Sequence, residues 1–143
     1  MAACLLLGII FYNDSDTTLT SIYLHNWANG YKNNKAPLAK RLIEDYDKSL
    51  HFANQKDRGF TTIKNLTVDY ETAAFSEVED DKIDVIKIVL NTPLLSKKST
   101  TINVAYDVKI PSAKFTRYGK TKTGYHLRYW YLVPAVFKDG WKV

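Results

Sequence analysis

The stretch Thr101–Ile110, TINVAYDVKI, decides the fold. Ile102, Val104, Tyr106, Val108 and Ile110 fall at every second position, the repeat of an extended chain whose side chains alternate between two faces. The segment therefore reads as a strand with one buried face. Pro111 has no N–H to give to a ladder and ends it.

The same alternation recurs upstream. In Ile83–Leu90, Ile83, Val85 and Val89 face one way and Ile86, Ile88 and Leu90 the other, with Asn91–Thr100 as the connection to Thr101. Phe60–Val68 is a further strand, dividing Thr61, Ile63 and Thr67 from Thr62, Leu66 and Val68. Leu5–Tyr12 and Leu19–His25 flank the polar turn Asn13-Asp14-Ser15-Asp16, a pattern that predicts a hairpin. Leu19–His25 is apolar on both faces and so predicts cover on both sides. Tyr70–Asp81 is acidic and reads as loose chain.

One helix interrupts the strands, within an insertion of about residues 35–58. Asn33 or Asn34 can cap it, Pro37 suits its first turn, and Leu38, Leu42, Ile43, Tyr46 and Leu50 recur at three- and four-residue steps. His51–Arg58 adds a further turn. Asp57-Arg58 reads as an ion pair closing the helix end, with Gly59 as a left-handed cap.

The end of the chain, Lys109–Val143 (KIPSAKFTRYGKTKTGYHLRYWYLVPAVFKDGWKV), is the densest in aromatic residues. Flat rings suit a pleated, half-buried surface, so Tyr125–Val133 predicts a sixth strand after a basic loop at Lys114–Thr123. The chain stops on Val143 just after an Asp139-Gly140 turn, which reads as a piece of something longer. Six strands and one inserted helix predict a mainly β protein, an antiparallel β-sandwich or saddle-like domain spanning residues 1–143.

Composition narrows the function classes. At 143 residues, 45% hydrophobic and 24% charged, the chain can bury one core and is not disordered as a whole. Its net charge of +5 is lopsided: 10 Lys+Arg against 13 Asp+Glu through Ser96, then 10 against 2 from Lys97 onward. A basic, tyrosine-rich half invites nucleic acid, but no RNP, zinc-finger or helix-turn-helix pattern accompanies it, and solvated strand faces explain it better. Met1–Phe11 is apolar yet too short to span a bilayer and lacks a basic n-region and cleavage site, so it reads as strand. The compartment stays open. Cys4 is the single cysteine, which excludes an internal disulfide. Asn13-Asp14-Ser15 and Asn65-Leu66-Thr67 are glycosylation-type tripeptides too common to carry weight.

The search for catalytic motifs comes back empty. There is no His-Glu-x-x-His, no Gly-x-Ser-x-Gly and no phosphate-cradling glycine loop. His25, His51 and His126 lie far apart on different segments and read as surface or hydrogen-bonded groups rather than a metal triad. Glu77, Glu79, Asp80, Asp81 and Asp84 lack the spacing of a calcium loop and read as a solvated acidic stretch.

Several phrases in order carry a resemblance: SIYLHNWANGY from Ser21, LAKRL from Leu38, FA from Phe52 through DRGF from Asp57, LNTPL from Leu90, VKIP from Val108, and YWY with PAVF from Tyr129, followed by Gly140-Trp141. Together they resemble the N-terminal β-domain of zinc metallopeptidases of the aminopeptidase N type, a bacterial subgroup in particular. The resemblance covers about Leu5 to Val143. It implies a non-catalytic module with no cofactor of its own. Zinc and its His-Glu-x-x-His motif would sit in a following catalytic domain, which would be the partner, and the parent would be a periplasmic or secreted hydrolase. In many members a loop of the form Thr-Gln-x-Glu-Pro-x-x-Ala reaches the substrate's N-terminus. Aligned on Ala135, its Gln falls on Tyr129 and its Glu on Tyr131, so either these two phenols stand near substrate or they are plain sheet residues. A neutral phenol cannot pair with an ammonium as a carboxylate does, although a ring face attracts one.

The expectation is an accessory domain that walls an active-site cleft and docks through Tyr125, Trp130, Phe137 and Trp141, self-associating when its partner is missing. The alternative is a stand-alone binding module using the same basic aromatic surface for a glycan, an acidic protein or nucleic acid.

Overall fold

A computed structural model of the chain describes residues 2–78 and 82–143. Two four-stranded antiparallel sheets face each other. One orders β1 (Ala2–Tyr12), β7 (Ser99–Lys109), β3 (Phe60–Val68) and β4 (Glu71–Thr72); the other orders β10 (Val133–Pro134), β2 (Leu19–His25), β6 (Val85–Leu94) and β5 (Ala74–Glu77). Two short ribbons, β8 (Gly119–Lys120) with β9 (Tyr125–His126) and β11 (Val136–Phe137) with β12 (Trp141–Lys142), trim the C-terminal third. The protein is mainly β, a sandwich-like domain with one α-helix, α1 (Pro37–Glu44).

The alternation in TINVAYDVKI is realised directly. Ile102, Val104, Tyr106 and Val108 of β7 are all at most 1% exposed and face Ile22, Leu24, Ile86 and Ile88 of the other sheet. Each such side chain contributes roughly 1.5–3 kcal/mol by leaving water. Register completes the layer: Leu5, Tyr106 and Ile63 form one cross-strand row, and Leu7, Val104 and Leu66 the next. Ile63 and Leu66 are three apart and would face opposite ways in a regular strand. A bulge between Ile63 and Asn65 absorbs the extra residue and brings both into those rows, so the face division expected for Phe60–Val68 is replaced.

The predicted hairpin of Leu5–Tyr12 and Leu19–His25 does not form. β1 pairs with β7 and β2 with β6, so the turn between them crosses from one sheet to the other, as does the turn from β6 to β7. Asn13, fully buried, ties these two crossings together. Its backbone exchanges hydrogen bonds with Lys98 O and Lys97 N, and its side-chain amide donates to the carbonyls of Thr17, Leu94 and Leu95. A turn whose polar groups are satisfied by the opposite crossing has no need of a hairpin partner.

Three further expectations are revised. The helix ends at Glu44 in a Schellman motif, with Tyr46 at φ 63°, Asp47 N donating to Leu42 O and Tyr46 N to Ile43 O. Ile43 and Tyr46 are therefore exposed, while Ala39 and Leu50 are buried with Tyr31, Ile83 and Phe115 in a second, smaller core. Part of Tyr70–Asp81 is strand, because β5 finds an edge on β6; Glu79, Asp80 and Asp81 lie outside the described residues. Gln55–Asp57 is a 3-10 turn, and Gly59 is not left-handed. Glycine is required there because a Cβ would stand 2.5 Å from Pro111 Cδ and 2.7 Å from Lys109 O. Asp57 pairs with Lys114 at 2.6 Å, not with Arg58, which is buried and donates to His51 O.

Candidate functional site

The β-strand expected over Tyr125–Val133 is confined to its two ends, β9 and β10. Between them Tyr129 adopts φ 50°, which breaks the extended run. The segment is held at intervals instead: Leu132 and Ala135 are buried, Tyr106 hydrogen-bonds the Leu132 backbone, and Ala135 N donates to Tyr23 O. The rings between these anchors are left outside. Tyr129 is 63% exposed, with Tyr125, Leu127 and Tyr131 also exposed, and Trp130 half-buried with its ring edge-on to Tyr131.

Phe137 and Trp141 stand elsewhere. Trp141 is half-buried among Phe11, Tyr23 and Phe137, at ring-centroid distances of 5.9, 5.2 and 5.2 Å, and both residues pack against the main core. Together with the stacking of His25 on Trp27, this gives β2 partial outer cover, short of the cover on both sides expected from its sequence. The expected docking set thus divides: Tyr125 is exposed and Trp130 half-buried, while Phe137 and Trp141 close the sandwich margin, and the two phenols expected near substrate, Tyr129 and Tyr131, are both exposed.

Tyr129 faces a cleft that strand patterns did not anticipate. After β2 the chain makes a 3-10 turn, Trp27–Tyr31, fixed by two buried asparagines. Asn29 donates to Ile83 O at 2.9 Å and accepts from Thr61 N at 2.9 Å, and Asn26 accepts from the Thr61 hydroxyl at 2.8 Å. Trp27 is thereby presented outward, with His25 stacked on it at 5.2 Å and Tyr129 edge-on at 5.1 Å. Tyr31, hydrogen-bonded to Thr116 at 2.8 Å, packs on Tyr118 at 5.4 Å. The loop carrying Arg117 and Tyr118 is set by Gly119 at φ 134°, where a Cβ would fall 2.5 Å from Pro111 O. Asp84, Leu38, Arg117 and Arg128 complete the walls of a cleft of about 350 Å³.

Its electrostatics are mixed. Burial pushes the Tyr118 phenol up to about 12, with Tyr31 adding to the shift, and its hydroxyl has no hydrogen-bond partner among the described residues. Burial also raises the Asp84 carboxyl, opposed in part by its own backbone amide and by His25. Arg117 and Arg128 are exposed and form no ion pair among the described residues. Around a separate depression, Lys56, Lys109, Lys114, Lys120 and Lys122 gather with Asp57, whose carboxyl Lys114 holds below its usual value.

Comparison with family models, with curated proteins and with solved structures returned no match. Among the described residues no three His, Cys, Asp or Glu side chains converge as a metal site, and no helix is long and apolar enough to cross a membrane. His25, His51 and His126 are dispersed: the first stacks on Trp27, the second meets Phe52 edge-on, and the third lies in β9.

Trp27, Arg117 and Asp84 were not legible as a site, since they sit on three segments that each read as loop or strand end. The signal that could have found Trp27 is the pair of asparagines around it in HNWANG, too polar for a segment so rich in large apolar residues unless their amides brace a turn.

Proposed function

We propose that this chain is a non-catalytic accessory β-domain of an aminopeptidase N-like zinc peptidase, docking on a catalytic domain and walling one side of its cleft. The observation that carries this reading is that Tyr125, Leu127, Tyr129 and Tyr131 are each 41–63% exposed on one short segment anchored to the sandwich at Leu132 and Ala135. Monomer surfaces seldom gather large apolar side chains in one patch without a partner. The resemblance itself rests on the ordered phrases from Ser21 to Trp141 and supplies the zinc, the peptidase activity and the catalytic partner.

The test is the reading frame of the source gene beyond Val143. A continuous frame carrying His-Glu-x-x-His with a downstream Glu supports the proposal, and a stop codon at that point overturns it. The second reading, a stand-alone module for a glycan, an acidic protein or nucleic acid, is favoured by the lysine cluster around Asp57. Retention of the pure chain on an anionic resin, abolished by Lys120→Glu with Lys122→Glu but not by Tyr129→Ser, would support it.

A further inference from the structure

We propose that the cleft between Trp27 and Tyr129 binds a small planar monocarboxylate, its ring held among the aromatic walls and its carboxylate taken by Arg117 and Arg128. This stands on the chain alone and does not depend on the docking proposal.

Four observations carry it. The cleft's volume of about 350 Å³ lies within the range of small-molecule sites, which combine apolar walls with a few convergent polar groups. Its walls are rings already fixed in place: Tyr31 is tied to Thr116, and Trp27 is held between His25 and Tyr129. Ring edges and faces of this kind accept a further flat ring by offset or edge-on packing.

The two guanidinium groups are the second element. Every arginine presents a planar fork that matches a carboxylate in two parallel hydrogen bonds. Arg41 spends part of its fork on Asp45 and Arg58 donates to His51 O, whereas Arg117 and Arg128 engage no acceptor among the described residues. Both line this cleft.

Asp84 sets the charge of the ligand. Its carboxylate lies in the same cleft, half-buried, and repels a second negative group. A dianionic phosphate would place excess charge against it, while a monocarboxylate can keep its single charge at the arginines. The Tyr118 hydroxyl, buried and unpartnered among the described residues, is the fourth element: a donor along the cleft wall for a ring substituent or a second carboxylate oxygen.

Titration of the pure 143-residue chain with 2-naphthoate and with its neutral isostere 2-naphthamide, followed by calorimetry and by the Trp27 indole N–H resonance, tests the proposal. Naphthoate should bind and move that resonance, with the amide about tenfold weaker, the loss of one charge-assisted pair. Arg117→Ala with Arg128→Ala should reduce naphthoate to the level of the amide without changing the melting temperature, both residues being exposed. Tyr118→Phe should weaken naphthoate while leaving the fold intact. Equal affinity for acid and amide, undiminished binding by the double arginine variant, or no binding of either compound overturns the proposal.

Discussion

The side-chain amide of Asn13 donates to the carbonyl of Leu94, 3.2 Å away and 81 positions along the chain. That one contact joins the β1–β2 crossing to the β6–β7 crossing, and it closes the same end of both sheets. Asn13→Ala removes the donor shared by Thr17, Leu94 and Leu95; Thr17 O keeps Ser15 Oγ and Leu95 O keeps Lys98 N, so the loss falls on the buried bond to Leu94 O, at a cost of about 1–3 kcal/mol. Asn13→Asp should be worse, since a carboxylate would face carbonyls with nothing to donate. Urea denaturation of the three proteins checks the order. Equal midpoints would mean that the crossings do not depend on the amide.

Val104 and Tyr106 occupy the inward face of the central strand β7, each 1% exposed. Val104→Asp and Tyr106→Asp should each unfold the domain, because an unpaired buried carboxylate costs several kcal/mol, about the whole stability of a domain this size. Asn103→Asp, on the opposite face, should melt near the parent. A circular-dichroism melt of all three separates the faces. Two inward variants that melt normally would refute the register.

Gly59 and Gly124 make a matched pair. At Gly59 a Cβ meets backbone and a proline ring, so Gly59→Ala should cost about 1–3 kcal/mol through forced separation of the Asp57–Gly59 and Lys109–Pro111 segments. Gly124 has nothing within 4 Å of that position, and Gly124→Ala should be close to neutral. Thermal melts of the two variants decide the matter; equal effects would show that close approach is not why Gly59 is there.

What could be read in advance follows from the range of the interaction. The alternation of β7, the stop at Pro111 and the place of Pro37 in the first helical turn are local, set by the chain's own geometry, and stand in the structure, whereas the cap is Ala36 and not Asn33 or Asn34. The hairpin expectation failed because a polar turn encodes a reversal but not the sheet in which the next strand pairs. β1 takes its partner about a hundred residues away, and the bonds of Asn13 to the β6–β7 crossing hold the two ends together. Likewise Ala74–Glu77 is strand only because β6 offers an edge, and Tyr129 breaks a run whose ring content alone suggested extension. The cleft draws Trp27, Asp84, Arg117 and Tyr129 from four segments, and no spacing in sequence could bring them together.

Asp57 and Asp84 should give opposite pH signatures. The hydrogen bond from Lys114 lowers the Asp57 carboxyl below its unfolded value of about 3.9, so the stability it contributes is present above that pH and is lost as pH falls through the folded value. Burial raises Asp84, so its contribution is present below about 3.9 and lost as pH rises through the folded value. Asp57→Asn should therefore destabilise at about pH 7 and converge on the parent in acid, whereas Asp84→Asn should stabilise at about pH 7 and lose that advantage in acid. Denaturant titrations at the two pH values give the comparison. Curves for both variants that run parallel to the parent would remove the assigned shifts.

The aromatic residues of the C-terminal segment can be sorted by what their loss does. Trp141 packs on Phe11, Tyr23 and Phe137 at the margin of the core, and Trp141→Ser should cost about 3 kcal/mol through lost burial and the gap it leaves. Tyr129 and Tyr131 are 63% and 45% exposed, and their replacement by Ser should change stability by no more than about 0.5 kcal/mol. If these rings form a docking face, the parent should self-associate at high concentration or bind a hydrophobic dye, and the double Tyr129→Ser, Tyr131→Ser variant should do so less. Sedimentation velocity alongside thermal melts reads both properties on the same samples. A parent that stays monodisperse, or a double variant that associates as strongly as the parent, would leave the exposed rings without a docking role. A double variant that unfolds would instead make them part of the core, against the exposure seen here.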